Sequence, residues 1–390
     1  MILKSLKSFL VIILALPTIV TNAQDKKFDS LVTNGIEQIY NIEFEQAEKT
    51  FSTLNASYPK HPAGRFFLAM IDWWKILLLE SDDERFDDMF YEKIEGVISF
   101  CDKILDKDEN NVDALFFKGG AIGFRGRLRV MRESWLKAAD DGRTALPIVA
   151  EAGSLDPKNL DVKLGFGIYN YYAAVIPENF PAVKPFMFFF PSGDKELGID
   201  QLKSTATKGK YAKHEARYFL MTLYYSYEKD YLTAKLYSDM LSKSFPDNSI
   251  FERWRGRIAI RNGDWSVAES VFKNVYNKSE KNIYGYNTLK VKREATYYIG
   301  YYYRNLNQLD SALTYFKKCA EYASKIKNEL DSGFLINATL FAAMIYESQE
   351  KYSDAKRTYE KVLKMNDFGN SHKVAEASLE RMKGTTEKKK

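Results

Sequence analysis

The chain has 390 residues, 45% of them hydrophobic and 28% charged, with 26 Tyr and 26 Phe, which supports a substantial apolar core. The formal charge is +5, and setting aside Lys4 and Lys7 of an N-terminal leader leaves +3 on the remainder. A charge that small and that evenly mixed gives no argument for a nucleic-acid partner, and none is expected.

The first element is the leader. Lys4 and Lys7 form a positive region, residues 9–16 an apolar run, and Pro17 breaks it, while Thr21, Asn22 and Ala23 precede a cleavage point at Gln24. The run is shorter than the roughly 20 residues that a spanning helix needs. Residues 1–23 therefore read as a signal peptide, with an uncleaved anchor as the alternative. No Cys follows the run, which disfavours a lipoprotein anchor. The expected location is the periplasm or outer membrane of a diderm bacterium, with secretion as the alternative. Export places Cys101 and Cys319 in an oxidising compartment, but both fall within apolar helical patterns far apart, and we expect buried thiols without a bridge.

A unit beginning at Phe28 (28–61) sets Gly35, Ala47, Phe51 and Pro59 at positions 8, 20, 24 and 32. The stretch 62–210 is less regular, with helical patterns at 62–80, 85–107, 112–136, 140–153, 160–175 and 194–208. Within it, Asp106–Asn110 alternates oxygen ligands like the opening of a calcium loop. The sixth position is Asn111 and the twelfth Phe117, so a polar helix-end turn is expected. The run Gly119–Gly126 has the glycine density of a phosphate-cradling loop but lacks a preceding strand. Arg125, Arg127, Arg129 and Arg132 read as a solvated helix face paired with acids such as Asp140 and Asp141, or else as an anion-contacting patch. The insert 174–193 holds Pro177, Pro181, Pro185 and Pro191, which prevent a continuous helix. It is either tucked over the core or an exposed lip in which Phe186, Met187, Phe188, Phe189 and Phe190 meet lipid or a partner.

Regular units resume at 215–248 and 249–282, where Ala234 and Ala268 stand 34 residues apart. The second of these has Gly256 at position 8 and Phe272 at 24. A unit from Arg293 has Gly300, Tyr303, Ala312 and Phe316 at positions 8, 11, 20 and 24, and one from Ile336 has Ala343, Tyr346, Ala355 and Tyr359 there. Small residues at 8 and 20 let two helices approach, and the aromatic at 24 fills the gap between units. Residues 372–383 read as a capping helix with a polar outer face.

This joint register resembles the tetratricopeptide family, whose 34-residue helix–turn–helix units stack into solenoids. The resemblance implies an all-α solenoid of antiparallel helix pairs wound as a right-handed superhelix. No Gly/Ser or Pro linker splits the chain, which reads as one domain over 24–390, and the resemblance is best across 215–367. It also implies that positions 2, 5, 9 and 12 of each first helix line a concave groove. In register, positions 5 and 9 are Phe219 and Leu223, then Arg253 and Arg257, then Tyr297 and Tyr301, then Leu340 and Met344, several of which could equally be packing residues. Arg253 and Arg257 resemble part of the carboxylate clamp of some relatives, although Phe219 and Leu223 leave the clamp incomplete. Residues 123–135 and 188–202, the latter with Gly193-Asp194 and Gly198, are similar to stretches of the eukaryotic inclusion-body-clearance tetratricopeptide family.

His61, His214 and His372 are scattered, and no nucleophile, acid–base pair, metal set or cofactor motif is evident. The expectation is a non-enzymatic exported scaffold holding a protein or peptide on Arg253, Arg257, Tyr297, Tyr301 and Arg304. A membrane surface contacted through 174–193 is the alternative partner.

Overall fold

The computed structural model describes residues 16–79, 83–179, 191–326 and 332–387, and all regular structure among them is helical. The chain forms two compact units, Met1–Leu220 and Met221–Lys390. The first contains α1 (Leu16–Tyr40), α2 (Phe44–Ser57), α3 (Ala63–Leu79), α4 (Asp87–Leu105), α5 (Val112–Met131), α6 (Trp135–Leu155), α7 (Lys163–Asn179) and α8 (Lys195–Lys208). Next comes α9 (Lys213–Leu223), continued by a π-turn at Tyr224–Glu228. The second contains α10 (Tyr231–Ser244), α11 (Ser249–Arg261), α12 (Trp265–Glu280), α13 (Leu289–Asn305), α14 (Leu309–Ser324), α15 (Gly333–Ser348), α16 (Tyr352–Val362) and α17 (Ser371–Glu387). In each unit the helices pack consecutively, odd against even, as antiparallel pairs joined by short turns. The terminal α17 packs on α16 and α15, where a capping helix was expected.

Local chemistry starts the helices. The side chains of Asn111, Asp194, Asp230, Asn248, Thr288 and Ser332 each accept a hydrogen bond from a first-turn N–H of the helix that follows. The calcium-like stretch at Asp106–Asn110 is the α4–α5 turn, with Asn111 capping α5. The turn inside the pairs is also uniform. Ile42, Lys229, Gly263, Asn307 and Glu350 all have left-handed backbones, with φ of 65°, 56°, 76°, 56° and 58°. Each stands at position 15 of its unit. Gly and Asn suit that conformation; a β-branched Ile does not.

Position 8 works differently from the expectation. A Cβ on Gly256 would lie 2.6 Å from Phe272 Cε2, and one on Gly300 would lie 3.0 Å from Phe316 Cδ1. Gly35 likewise faces Phe51. The small residue at 8 thus seats the aromatic ring at 24 of its own unit, rather than meeting the small residue at 20. The rings Phe51, Phe272, Phe316 and Tyr359 are wholly buried. The Gly193-to-Gly198 motif has a similar cause. A Cβ on Gly198 would lie 2.6 Å from Tyr171 N, and one on Gly193 would lie 2.6 Å from Ala174 N, so both glycines let the start of α8 lie directly on α7. The preceding helix, α7, runs past Pro177 and ends at Asn179.

The first unit also makes contacts that a simple stack of neighbours would not. The Tyr40 hydroxyl on α1 donates to Glu215 on α9 at 2.9 Å, across 175 residues of sequence. Tyr211 donates to Asp29 at 3.3 Å, Lys210 pairs with Asp29, and the Phe67 and Tyr211 rings meet edge to face. The start of α9 thereby returns to α1 and α3 and closes the unit on itself. Cys101 and Cys319 are buried and form no disulfide, and burial pushes the Cys101 thiol up to about 12.

Candidate functional site

The five residues expected to line a groove lie on α11 and α13 of the second unit, and the structure sorts them into two groups. Arg253 Nε donates to Glu294 Oε2 at 2.7 Å, and Arg257 Nη2 donates to the same oxygen at 2.7 Å, with Arg257 Nε on Oε1. Glu294 is 1% exposed and Arg253 is 6% exposed. Burial would raise the Glu294 pKa, but the charges and hydrogen bonds of Arg257 and Arg253 outweigh it and hold the carboxyl well below the usual carboxylate range. Arg257 keeps an exposed edge and lies over the Trp254 ring.

Arg253 therefore does not project into open space as a ligand contact, and the two arginines cannot be removed without consequence for folding. They neutralise an internal carboxylate that links α11 to α13. Glu294 stands at position 2 of the unit from Arg293, one of the groove positions the register marks. An acid there, facing cations at 5 and 9 of the preceding unit, was the available signal.

The second group forms an aromatic strip along α13. Residues 294, 297, 301 and 304 recur at helical spacing and share a face. The Tyr297 ring lies 5.1 Å from Phe334 and 6.1 Å from Phe316, and Tyr301 lies 5.7 Å from Trp265 and 6.0 Å from Phe341. The Arg304 guanidinium sits 4.4 Å over the Phe341 ring. Tyr297, Tyr301 and Arg304 are all half-buried. Burial pushes the Tyr297 phenol up to about 12, so it remains a hydrogen-bond donor across the physiological range. Stacked rings under a guanidinium present flat apolar area beside a positive charge, a combination suited to the apolar and carboxylate groups of an extended peptide.

The flanking register positions are packing residues. Leu340 is buried and Met344 packs beside it against α16 and α17, while Phe219 and Leu223 are buried. The basic run on α5 is not an anion patch. Arg125 Nη1 donates to Glu95 at 2.6 Å and its Nε to Asp141 at 3.0 Å; Arg129 pairs with Asp141 and Arg127 with Glu215, both at 2.6 Å. Arg132 forms a fork on Asp87 at 2.6 and 2.8 Å. Asp140 pairs instead with Arg143 on its own helix. These arginines are partly buried ties between helices rather than a solvated face.

Phe186, Met187, Phe188, Phe189 and Phe190 lie outside the described residues. Among those described, no helix is long and apolar enough to cross a membrane, and no three His, Cys, Asp or Glu come together as a metal site.

Residues 295–326 and 338–367 match the tetratricopeptide repeat model, and they take in the later parts of α13 and α15 with α14 and α16. The chain carries tetratricopeptide repeats. Solved structures similar to it include the APC/C hetero-tetramer Cut9-Hcn1, at 15% identity and a TM-score of 0.44, over 86% of this chain and 59% of that one. Yeast Tom70 is similar at 12% identity and a TM-score of 0.40, over 94% and 84% of the two chains. A tetratricopeptide repeat protein from Parabacteroides merdae follows at 13% identity and a TM-score of 0.34, over 80% and 99%. The chain spans less than two thirds of the length of the first of these. No curated protein matches it in sequence. The two matched tetratricopeptide repeats supply Tyr297, Tyr301, Arg304 and Phe341, while Trp265 and Phe334 lie outside the matched residues.

Proposed function

We propose that the chain is an exported, non-enzymatic scaffold that holds a protein or peptide partner on the α13 strip. The observation that carries this reading is the half-buried row Tyr297, Tyr301 and Arg304, backed by Trp265 and Phe341. Arg257 contributes its exposed edge, and Arg253 acts through Glu294 by fixing α13 against α11. Export rests on the leader: loss of residues 1–23 would leave Gln24 as the N-terminus, in the periplasm or at the outer membrane.

A photo-crosslinking residue at position 301, with one at the exposed Tyr352 of α16 as a control, tests the surface in envelope extracts. The expected result is a defined protein adduct at 301 that is absent at 352 and lost when Arg304→Glu is added. Equal adducts at both positions would overturn the assignment. Mass spectrometry of the envelope fraction checks the Gln24 terminus, and an intact Met1-containing chain in the cytoplasm would refute export.

A further inference from the structure

The first unit encloses a cavity of about 380 Å³, partly open to solvent, between α1, α3, α5, α6, α7 and the start of α9. Its wall is mostly hydrocarbon and aromatic, with Ile39, Phe66, Met70, Trp74, Phe117 and Phe124 among its residues.

The space has a cause in the sequence. Glu133, in the α5–α6 turn, has the left-handed backbone (φ 56°) that marks position 15 elsewhere. That register starts a unit at Gly119, with Gly126 at position 8, Ala138 at 20 and Gly142 at 24. Where four other units carry Phe51, Phe272, Phe316 or Tyr359, this one carries a glycine, and Gly142 lines the cavity. On α5, Gly123 also lines the cavity, and a Cβ there would meet nothing within 4 Å. A glycine inside a helix is unfavourable, and no neighbouring side chain requires this one. Gly96 on α4 is equally uncovered but does not line this cavity, so it is the internal control.

The ionisable side chains on the wall are already engaged. Glu215 accepts from Arg127 at 2.6 Å and from Tyr40 at 2.9 Å. Asp161 accepts from the backbone N–H groups of Tyr211 and Ala212 at 3.0 Å. Tyr211 donates to Asp29, and Tyr169 to the Pro191 carbonyl. A peptide seated here would bury backbone donors and acceptors against an apolar wall. An anion would meet the Glu215 and Asp161 carboxylates with Arg127 already neutralised. Hydrocarbon meets neither obstacle, and the volume falls in the usual range for small-molecule pockets.

We propose that the first unit holds one long alkyl chain in this cavity, the chain of a free fatty acid or of a lipid, with the polar end left at the opening. The test uses the full-length protein and cis-parinaric acid, a fluorescent fatty acid, as the probe. Saturable binding is expected, weakened at least tenfold by Gly123→Phe and unchanged by Gly96→Phe, with the thermal midpoint of Gly123→Phe no lower than that of the parent. Gly142→Leu, on the facing helix, should weaken binding in the same way and covers the case in which Gly123→Phe fails to fold. Displacement by palmitate alone would assign a free fatty chain, and displacement by lysophosphatidylcholine as well would assign a lipid chain. Absence of saturable binding, or parental affinity in a folded cavity variant, would overturn the proposal.

Discussion

The two units share a helix-pair design and a left-handed residue in the turn, and Gly35 under Phe51 gives the first the same seam as the second. Yet the α5–α6 pair of the first treats the space between its helices in the opposite way. In the second unit, Gly256 and Gly300 each lie under a fully buried ring, Phe272 and Phe316, and neighbouring rings extend the packing through Tyr298, Phe334 and Phe341. In the first unit, Gly123 lies under nothing and Gly142 replaces the ring. A glycine that receives a ring builds a tight seam. A glycine that receives nothing leaves room.

Buried charge follows the same division. In the second unit Glu294 ties adjacent helix pairs, α11 to α13. In the first, Glu215 joins the start of α9 to Tyr40 of α1 and Arg127 of α5, closing the unit around its cavity. Arg127 is also packed against Trp73, Phe124 and Phe219, with its guanidinium within 5.1 Å of each ring centre.

The largest effect should come from breaking the Glu294 tie. Replacing Arg253 and Arg257 together by Ala strands a buried carboxylate and should cost about 3–5 kcal/mol in urea unfolding. Replacing Arg253, Arg257 and Glu294 together by apolar residues of similar volume should recover most of that loss. The pH dependence has a definite sign. The Glu294 pKa is lower in the folded than in the unfolded chain, so between the two values the unfolded state holds more protons, and stability rises with pH. The contribution is complete above the unfolded value of about 4.3 and disappears as pH falls through the folded value. The stability gap between the parent and Glu294→Gln should therefore be widest near neutrality and narrow on acidification. A gap that widens in acid would show that Glu294 is not held as an ion.

The same substitution at two glycines sharpens the comparison. Gly256→Ala forces a methyl against Phe272 and should destabilise by about 1–3 kcal/mol. Gly123→Ala should instead stabilise by up to about 1 kcal/mol, because the helix gains a better former and nothing is displaced. Like signs at the two sites would mean that the cavity wall is not open at Gly123.

The sequence carried most of the repeat architecture because small residues and rings recur at fixed spacing where packing requires them. Units from Arg293 and Ile336 were legible on those grounds, and the helices of 62–210 from their polar breaks. The unit from Gly119 was not, because its ring position holds Gly142 and its marker, the left-handed Glu133, is a property of the backbone. The Tyr40–Glu215 contact has no local signature at all across 175 residues. In the candidate site, register put Tyr297, Tyr301 and Arg304 on one helix face, and the structure has them half-buried on α13. Arg253 was misjudged because a cation at a groove position looks the same whether it faces solvent or a buried acid.

The smallest effect concerns the one turn residue whose chemistry contradicts its conformation. Position 15 is Gly263 or Asn307 in two units of the second half, both at ease in the left-handed region, but Ile42 in the first unit at φ 65°. A β-branched side chain crowds the following carbonyl there, at a cost of about 1–2 kcal/mol. Ile42 is half-buried, so removing it also forfeits some apolar contact. Asn relieves the strain while retaining part of the side-chain volume, and Ile42→Asn should raise stability by up to about 1 kcal/mol in urea unfolding. The matched substitution Asn307→Ile should lower stability by a similar amount, since it creates the same crowding in the second unit. If Ile42→Asn destabilises while Asn307→Ile is neutral, the shared turn geometry is not what sets the pairing in the two units.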